Sequence, residues 1–172
     1  MSIAQPATAR VVAAAQAAGV DIEPVSLDQS TRTAVEAAAA VGAEVGQIVK
    51  SLVFVADDGG GSEVRPYLAL VSGSNMADVD ALAQAVGEKS MRRSTADEAR
   101  AATGFAIGGI PPFGHSRTLP VLMDPALLTY DVIWAAAGTG NSVFPIGPAD
   151  LQRLSRATVA PIARPAAEAA PR

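Results

Sequence analysis

QIVKSLVFVADDGGGSEVRPYLALVSG, residues 47–73, is the stretch that decides the fold. Two runs rich in β-branched and apolar residues flank an Asp-Asp-Gly-Gly-Gly connection, and that pattern predicts two strands around a turn. Side chains alternate along a strand, so Ile48, Lys50, Leu52 and Phe54 share one face while Val49, Ser51, Val53 and Val55 share the other. Both faces are apolar, which places this strand inside the molecule. Lys50 sits near its start, and an ammonium there must either snorkel to solvent or meet an anion in a site.

Working outward, helices and strands intersperse. PATARVVAAAQAA, residues 6–18, starts on a proline suited to a first helical turn and stops before Gly19. IEPVSL, residues 22–27, is a short extended edge piece because of Pro24. TAVEAAAAVG predicts a second helix, with Thr33 and Glu36 at capping-box spacing and Gly42 as its stop. DVDALAQAV, residues 78–86, reads as a helix ended by Gly87, and SMRRS as a short strand carrying Arg92 and Arg93. A helix over residues 95–103 is expected to be capped by Ser94, with Asp97 three positions on, and to end at Gly104. LPVLMD predicts a strand followed by an Asp124-Pro125 turn, DVIWAAAG and NSVFPIG two further strands, PADLQRLSRA a helix, and TVAPIA, residues 158–163, a last edge strand. Hairpins occur beside crossovers. The expected class is therefore α/β of the mixed α+β kind, a mixed sheet or barrel surrounded by helices, in one domain over residues 1–164 with a disordered tail at 165–172.

Composition narrows the chemistry. Apolar residues make up 49% of the 172 and aromatics 4%, so the core must be built from Ala, Val, Leu and Ile. The absence of cysteine excludes disulfides, a thiolate nucleophile and thiolate-bound zinc, and suits a reducing compartment. The opening segment MSIAQPATAR lacks a basic run followed by an apolar one, and no apolar run approaches the roughly 18 residues of a membrane span. A soluble cytoplasmic protein without a membrane partner is the expectation. A formal charge of −4 offers no global field for nucleic acid, so any RNA contact must be local, through Lys50 with Arg92, Arg93 or Arg117. Of 13 basic residues only Lys50 and Lys89 are lysine. No phosphate loop, dinucleotide fingerprint, nucleophile elbow or calcium loop is present, and neither a metal nor a cofactor is called for.

What remains is GFAIGGIPPFGHSRTLP, residues 104–120, with four glycines, three prolines and His115, the single histidine of the chain. As plain punctuation it is a tight connection between a helix and a strand. As a site, its prolines cannot donate, so an anion or carbonyl held there must use the N–H groups of Gly109, Ile110, Phe113 or Gly114. Backbone donors aimed at a developing oxyanion catalyse acyl transfer without a side-chain nucleophile. A hydrolase with His115 as base, in a triad with Asp124 and a serine, is a separate possibility that the sequence leaves open.

In order and spacing QIVKSLVF, GFAIGGIPPFGH, LPVLMD and AAAGTGNSVFPIGPADLQRL resemble the YbaK and prolyl-tRNA synthetase-associated editing domain family over residues 28–163. The most specific marks are the lysine of I-V-K-S-L and the G-x-x-x-P loop, here Gly108 and Pro112, followed by Gly114. The resemblance implies an aminoacyl-tRNA deacylase that edits in trans, with tRNA as partner and prolyl-tRNA synthetase as associate. It assigns Lys50 to the phosphate of the terminal adenosine and the loop of Gly108, Gly109, Ile110, Pro111 and Pro112 to the aminoacyl ester. Phe113, Gly114, His115 and Gly138 follow as pocket positions. The pair Ile110-Pro111 and His115 depart from other branches and bear on substrate choice. Alanine or another small residue on tRNA(Pro) is expected, with serine, threonine and cysteine as alternatives. A non-catalytic tRNA- or protein-binding module of the same fold is the competing reading.

Overall fold

The computed structural model describes residues 5–57 and 63–166. In chain order the strands are β1 (Val25–Ser26), β2 (Val49–Asp57), β3 (Val64–Ser72), β4 (Asn75–Ala77), β5 (Arg92–Arg93), β6 (Val121–Met123), β7 (Ile133–Ala136), β8 (Ser142–Ile146), β9 (Thr158–Val159) and β10 (Ala163–Pro165). The helices are α1 (Pro6–Ala17), α2 (Ala34–Val41), α3 (Val79–Val86), α4 (Ala96–Thr103) and α5 (Pro148–Ser155), with 3-10 turns at Val45–Gln47 and Pro125–Thr129. The fold is mixed α/β. A five-stranded mixed sheet runs β5-β2-β3-β6-β9, a three-stranded antiparallel sheet runs β1-β8-β7, and β4 and β10 form a separate ribbon. A bridge between Ile48 and Trp134 joins the two larger sheets at the start of β2.

β2 and β3 pair antiparallel from Val49↔Ser72 to Asp57↔Val64, the long hairpin that the sequence predicts, while residues 58–62 of its connection lie outside the described residues. The predicted faces hold. Val49 and Val53 join the main core with Leu68, Leu70 and Phe144, whereas Leu52 and Phe54 pack in a second core with Val71, Leu82 and Ile162. Of the three strands that carry a proline, two hold it where a neighbouring strand's pairing does not reach. Pro66 lies beyond the reach of β6, whose pairing starts at Leu68, and Pro145 lies beyond β1, whose pairing ends at Val143. Phe113 and Phe144 meet edge to face at 5.7 Å inside the main core.

The helix stops read from glycine are correct: Gly42, Gly87 and Gly104 all close their helices in the left-handed region. Other expectations need correction. α4 is capped by Thr95, whose hydroxyl accepts from the Glu98 N–H while the Glu98 carboxylate accepts from the Thr95 N–H. Ser94 is left with a buried hydroxyl that has no partner among the described residues. Glutamate is longer than aspartate by one methylene and reaches back across the turn, so the Thr95 register wins. At α2 the Thr33 hydroxyl accepts from the Glu36 N–H as expected, but the Glu36 carboxylate takes the Arg32 N–H. The strand expected over residues 158–163 splits: β9 pairs parallel with β6, and β10 leaves to pair with β4. Pro165, placed in the tail by sequence, is the last residue of β10, and the Ala166 N–H donates to Ser74 O at 3.1 Å. Residues 167–172 of that tail lie outside the described residues. No helix among the described residues is long and apolar enough to cross a membrane.

Candidate functional site

A cleft of about 480 Å³ opens beside the first half of β2. Lys50 and Arg93 line it together with Gly108 and Ile110 of the Gly/Pro segment. Arg32, just before α2, also reaches its wall, and among the described residues neither Asp, Glu nor His does.

Lys50 is half-buried, and its Nζ donates to the carbonyl of Asn75. Asn75 follows the sharp turn that joins β3 to β4, and its Nδ2 donates to Asp124 Oδ2 at 2.9 Å. The same oxygen accepts the Ser72 N–H at 3.1 Å, and Oδ1 accepts the Ala126 N–H at 2.9 Å as the cap of the 3-10 turn. Asp124 is 3% exposed, so these bonds, rather than water, satisfy it. Through Asn75 it fixes the carbonyl that holds the lysine. Burial, and next the neighbouring Arg93, push the Lys50 ammonium below its ordinary pKa, while Asp124 pulls it up. Two of its three protons remain for a ligand.

The arginines separate cleanly. Arg92 is tied to Glu98 at 2.8 Å and to Asp57 at 3.3 Å. Arg93 makes no ion pair among the described residues and stacks its guanidinium over Phe54 at 5.7 Å. Arg117 lines a different cavity. Of the three arginines named from sequence, Arg93 alone joins Lys50 in the cleft.

The Gly/Pro segment divides between two places. Residues 106–109 form a turn closed by the Gly109 N–H on Ala106 O at 3.0 Å, with Gly108 at φ +98° where type II turns demand glycine. A Cβ on Gly108 would meet nothing within 4 Å, so the backbone is open toward the cleft. Gly109 lies against the next turn: a Cβ there would fall 2.7 Å from Thr139 Cα and 2.9 Å from Gly138 C. Its N–H is spent inside the turn, so the donors that remain on this side are the N–H groups of Gly108 and Ile110.

Pro112, Phe113, Gly114 and His115 line a second cavity of about 610 Å³ together with Arg117 and Arg156. His115 Nε2 bonds Pro111 O at 2.7 Å, so it carries the proton in that bond, and the ring meets Phe105 edge to face. Burial pushes the imidazole below its ordinary pKa, with the Pro111 carbonyl opposing. No hydrogen bond links His115 to Asp124 or to a serine among the described residues, so the triad is not assembled. The ring instead staples the chain between residues 111 and 115. Gly138, at φ +99°, is pressed against α1: a Cβ would meet Ala7 C and O at 2.9 Å. Its neighbours Thr139 and Gly140, rather than Gly138 itself, reach the cleft. α1 also lays Arg10 over Phe105 at 4.4 Å and donates from it to Gly104 O, which clamps the segment from behind.

Asn75, Asp124 and Ser72 escaped the sequence reading as a unit. Only the cap role of Asp124 was legible, from the proline after it. Among the described residues no group of three or more His, Cys, Asp or Glu is arranged to hold a metal ion.

Comparison with known proteins is consistent across three measures. The model of the aminoacyl-tRNA editing domain family matches residues 28–154. EbsC of Enterococcus faecalis, provisionally named a Cys-tRNA(Pro)/Cys-tRNA(Cys) deacylase, is 28% identical over 125 residues, 73% of each chain. The uncharacterized protein YwhH of Bacillus subtilis is 30% identical over 128 residues, 74% of this chain and 78% of that one. A crystal structure provisionally titled a trans-editing enzyme for prolyl tRNA synthetase superposes with a TM-score of 0.85 at 46% identity, covering 94% of this chain and 99% of that one.

Proposed function

Because the chain belongs to the aminoacyl-tRNA editing domain family, we propose that it hydrolyses the ester of a small, wrongly attached amino acid on tRNA(Pro), acting in trans to prolyl-tRNA synthetase. The observation that carries this reading is the presence in one cleft of two cations, Lys50 and Arg93, that make no ion pair among the described residues, together with the open backbone turn at Gly108 and Ile110. The cations suit the phosphate of the terminal adenosine, and the turn suits the aminoacyl ester beyond it.

The ester is already activated, so orientation and oxyanion stabilisation carry much of the rate. A water adds to the carbonyl carbon, the carbonyl oxygen becomes an oxyanion facing the N–H groups of Gly108 and Ile110, and the ribose oxygen leaves with a proton. Among the described residues no carboxylate or imidazole lines the cleft to serve as base, which favours the neighbouring ribose hydroxyl of the substrate as the group that orients the water. Lys50 acts as a cation held by Asn75, with Arg93 beside it. Small apolar walls such as Ala135, Ala136 and Val143 favour alanine-sized side chains, and a pocket of this kind separates residues by exclusion of the larger one.

Lys50→Ala tests the assignment. It is expected to abolish most deacylation and to weaken tRNA binding, with the salt dependence falling by about one phosphate contact. Arg93→Ala should reproduce the salt effect. Full deacylation by Lys50→Ala at unchanged tRNA affinity would remove the assigned role, and tRNA binding without hydrolysis in the wild type would leave a binding module.

A further inference from the structure

Ser51 is the residue beside Lys50 for which neither the fold nor the reading above has a use. Its Oγ is buried and has no hydrogen-bond partner among the described residues. The one other hydroxyl in that condition, on Ser94, lines neither cavity, whereas Ser51 lines the cleft. Buried hydroxyls are rarely left unpaired, because an unsatisfied polar group costs free energy that a bound partner recovers.

The main chain of Ser51 points the same way. The Gly73 N–H donates to Ile48 O at 2.7 Å, which marks that pair as hydrogen-bonded across the hairpin. Bonded pairs alternate in an antiparallel ladder, so Lys50 and Leu52 bond toward β3 while Ser51 turns its N–H and C=O to the opposite edge of β2. That edge is covered by β5 at Phe54 and Val55, where Ser94 also donates to Val53 O, and touched by β7 at the bridge of Ile48 with Trp134. Between these two anchors nothing among the described residues pairs with Ser51, and the cleft lies there.

The charge of the cleft says what Ser51 is for. Among the described residues Lys50, Arg93 and Arg32 reach it and no carboxylate does, yet an aminoacyl ester brings a cation of its own, the α-ammonium. Its acceptors must be uncharged oxygens. Of the other hydroxyls that line the cleft, those of Thr139 and Ser142 are spent on each other at 2.6 Å and that of Thr33 accepts the Glu36 N–H, while that of Thr31 is not among the buried unpaired ones, as Ser51 is. We propose that Ser51 receives the α-ammonium of the aminoacyl group on its unpaired Oγ and its open-edge carbonyl, and so positions the ester between the Lys50–Arg93 pair and the Gly108 turn. This rests on the deacylase reading.

The test compares single-turnover hydrolysis of alanyl-tRNA(Pro) with that of lactyl-tRNA(Pro), in which a hydroxyl replaces the ammonium at nearly the same size, for the wild-type chain and Ser51→Ala. A hydrogen bond to a charged group predicts that Ser51→Ala loses about tenfold to a hundredfold on the alanyl ester and little on the lactyl ester. The melting temperature of the free protein should stay level or rise, because the variant removes an unpaired oxygen. An unchanged alanyl-to-lactyl ratio in Ser51→Ala, or equal losses on both esters with a lowered melting temperature, would overturn the inference and leave a water-satisfied or structural hydroxyl. Wild-type failure on both esters would instead overturn the deacylase reading and this inference with it.

Discussion

Replacing Gly109 by alanine probes the contact that holds the ester-facing turn in place. The new methyl would fall 2.7 Å from Thr139 Cα, 2.8 Å from Thr139 C and 2.9 Å from Gly138 C, all backbone atoms that cannot rotate away. Carbon atoms prefer roughly 3.5–4.0 Å, so the two turns must separate by several tenths of an ångström to about 1 Å. Overpacking of this kind costs about 1–3 kcal/mol. The relief carries the Gly108 and Ile110 N–H groups into the cleft, and a misplacement of about 1 Å near reacting atoms costs on the order of a hundredfold in rate. Gly108→Ala separates backbone strain from contact: its φ of +98° disfavours alanine by about 1–2 kcal/mol, but its methyl meets nothing within 4 Å. Urea unfolding and single-turnover deacylation are the assays, with Ile107→Ala, 49% exposed on the same turn, as the stability control within about 0.5 kcal/mol of wild type. Wild-type stability and turnover in Gly109→Ala would refute the idea that this close approach sets the geometry of the site.

Two further outcomes follow from the structure. Thr95→Ala should destabilise by about 1 kcal/mol through loss of the α4 cap, whereas Ser94→Ala, whose hydroxyl has no partner among the described residues, should leave stability level or slightly raised in the same urea assay. His115 is held below its ordinary value of 6.5 by burial, so the unfolded chain binds the proton more readily; stability is full above 6.5 and falls as pH drops from there through the lowered folded value. His115→Gln should flatten that fall below pH 6.5 while leaving hydrolysis close to wild type.

How far the sequence reaches depends on what each residue's signal is. The β2–β3 hairpin was legible because period-two alternation over nine-residue strands overrides other readings, and the left-handed stops at Gly42, Gly87 and Gly104 because no other residue fits them so readily. β4 and β10 were not legible. Asn75-Met76-Ala77 and Ala163-Arg164-Pro165 are too short to alternate, and they become strands only because each finds the other. The α4 cap was ambiguous because Ser94 with Asp97 and Thr95 with Glu98 offer two registers one residue apart, separated only by the longer reach of glutamate. In the site, Lys50 and Gly108 carried local signals, a cation in an apolar strand and a glycine in a turn. Convergence carried none: nothing in the order of residues says that Arg93 faces Lys50 while Arg92 turns to Glu98. Nor does it say that the Gly/Pro segment splits between two cavities, with His115 in the one away from Lys50.

The central claim is editing of tRNA(Pro), and its most direct measurement is hydrolysis by the wild-type chain of tRNA(Pro) charged in turn with alanine, serine, cysteine and proline. Rapid release of a small non-cognate residue, alanine first, with the prolyl ester spared, is the expected result. Release of none of the four, or of proline as fast as alanine, would contradict it.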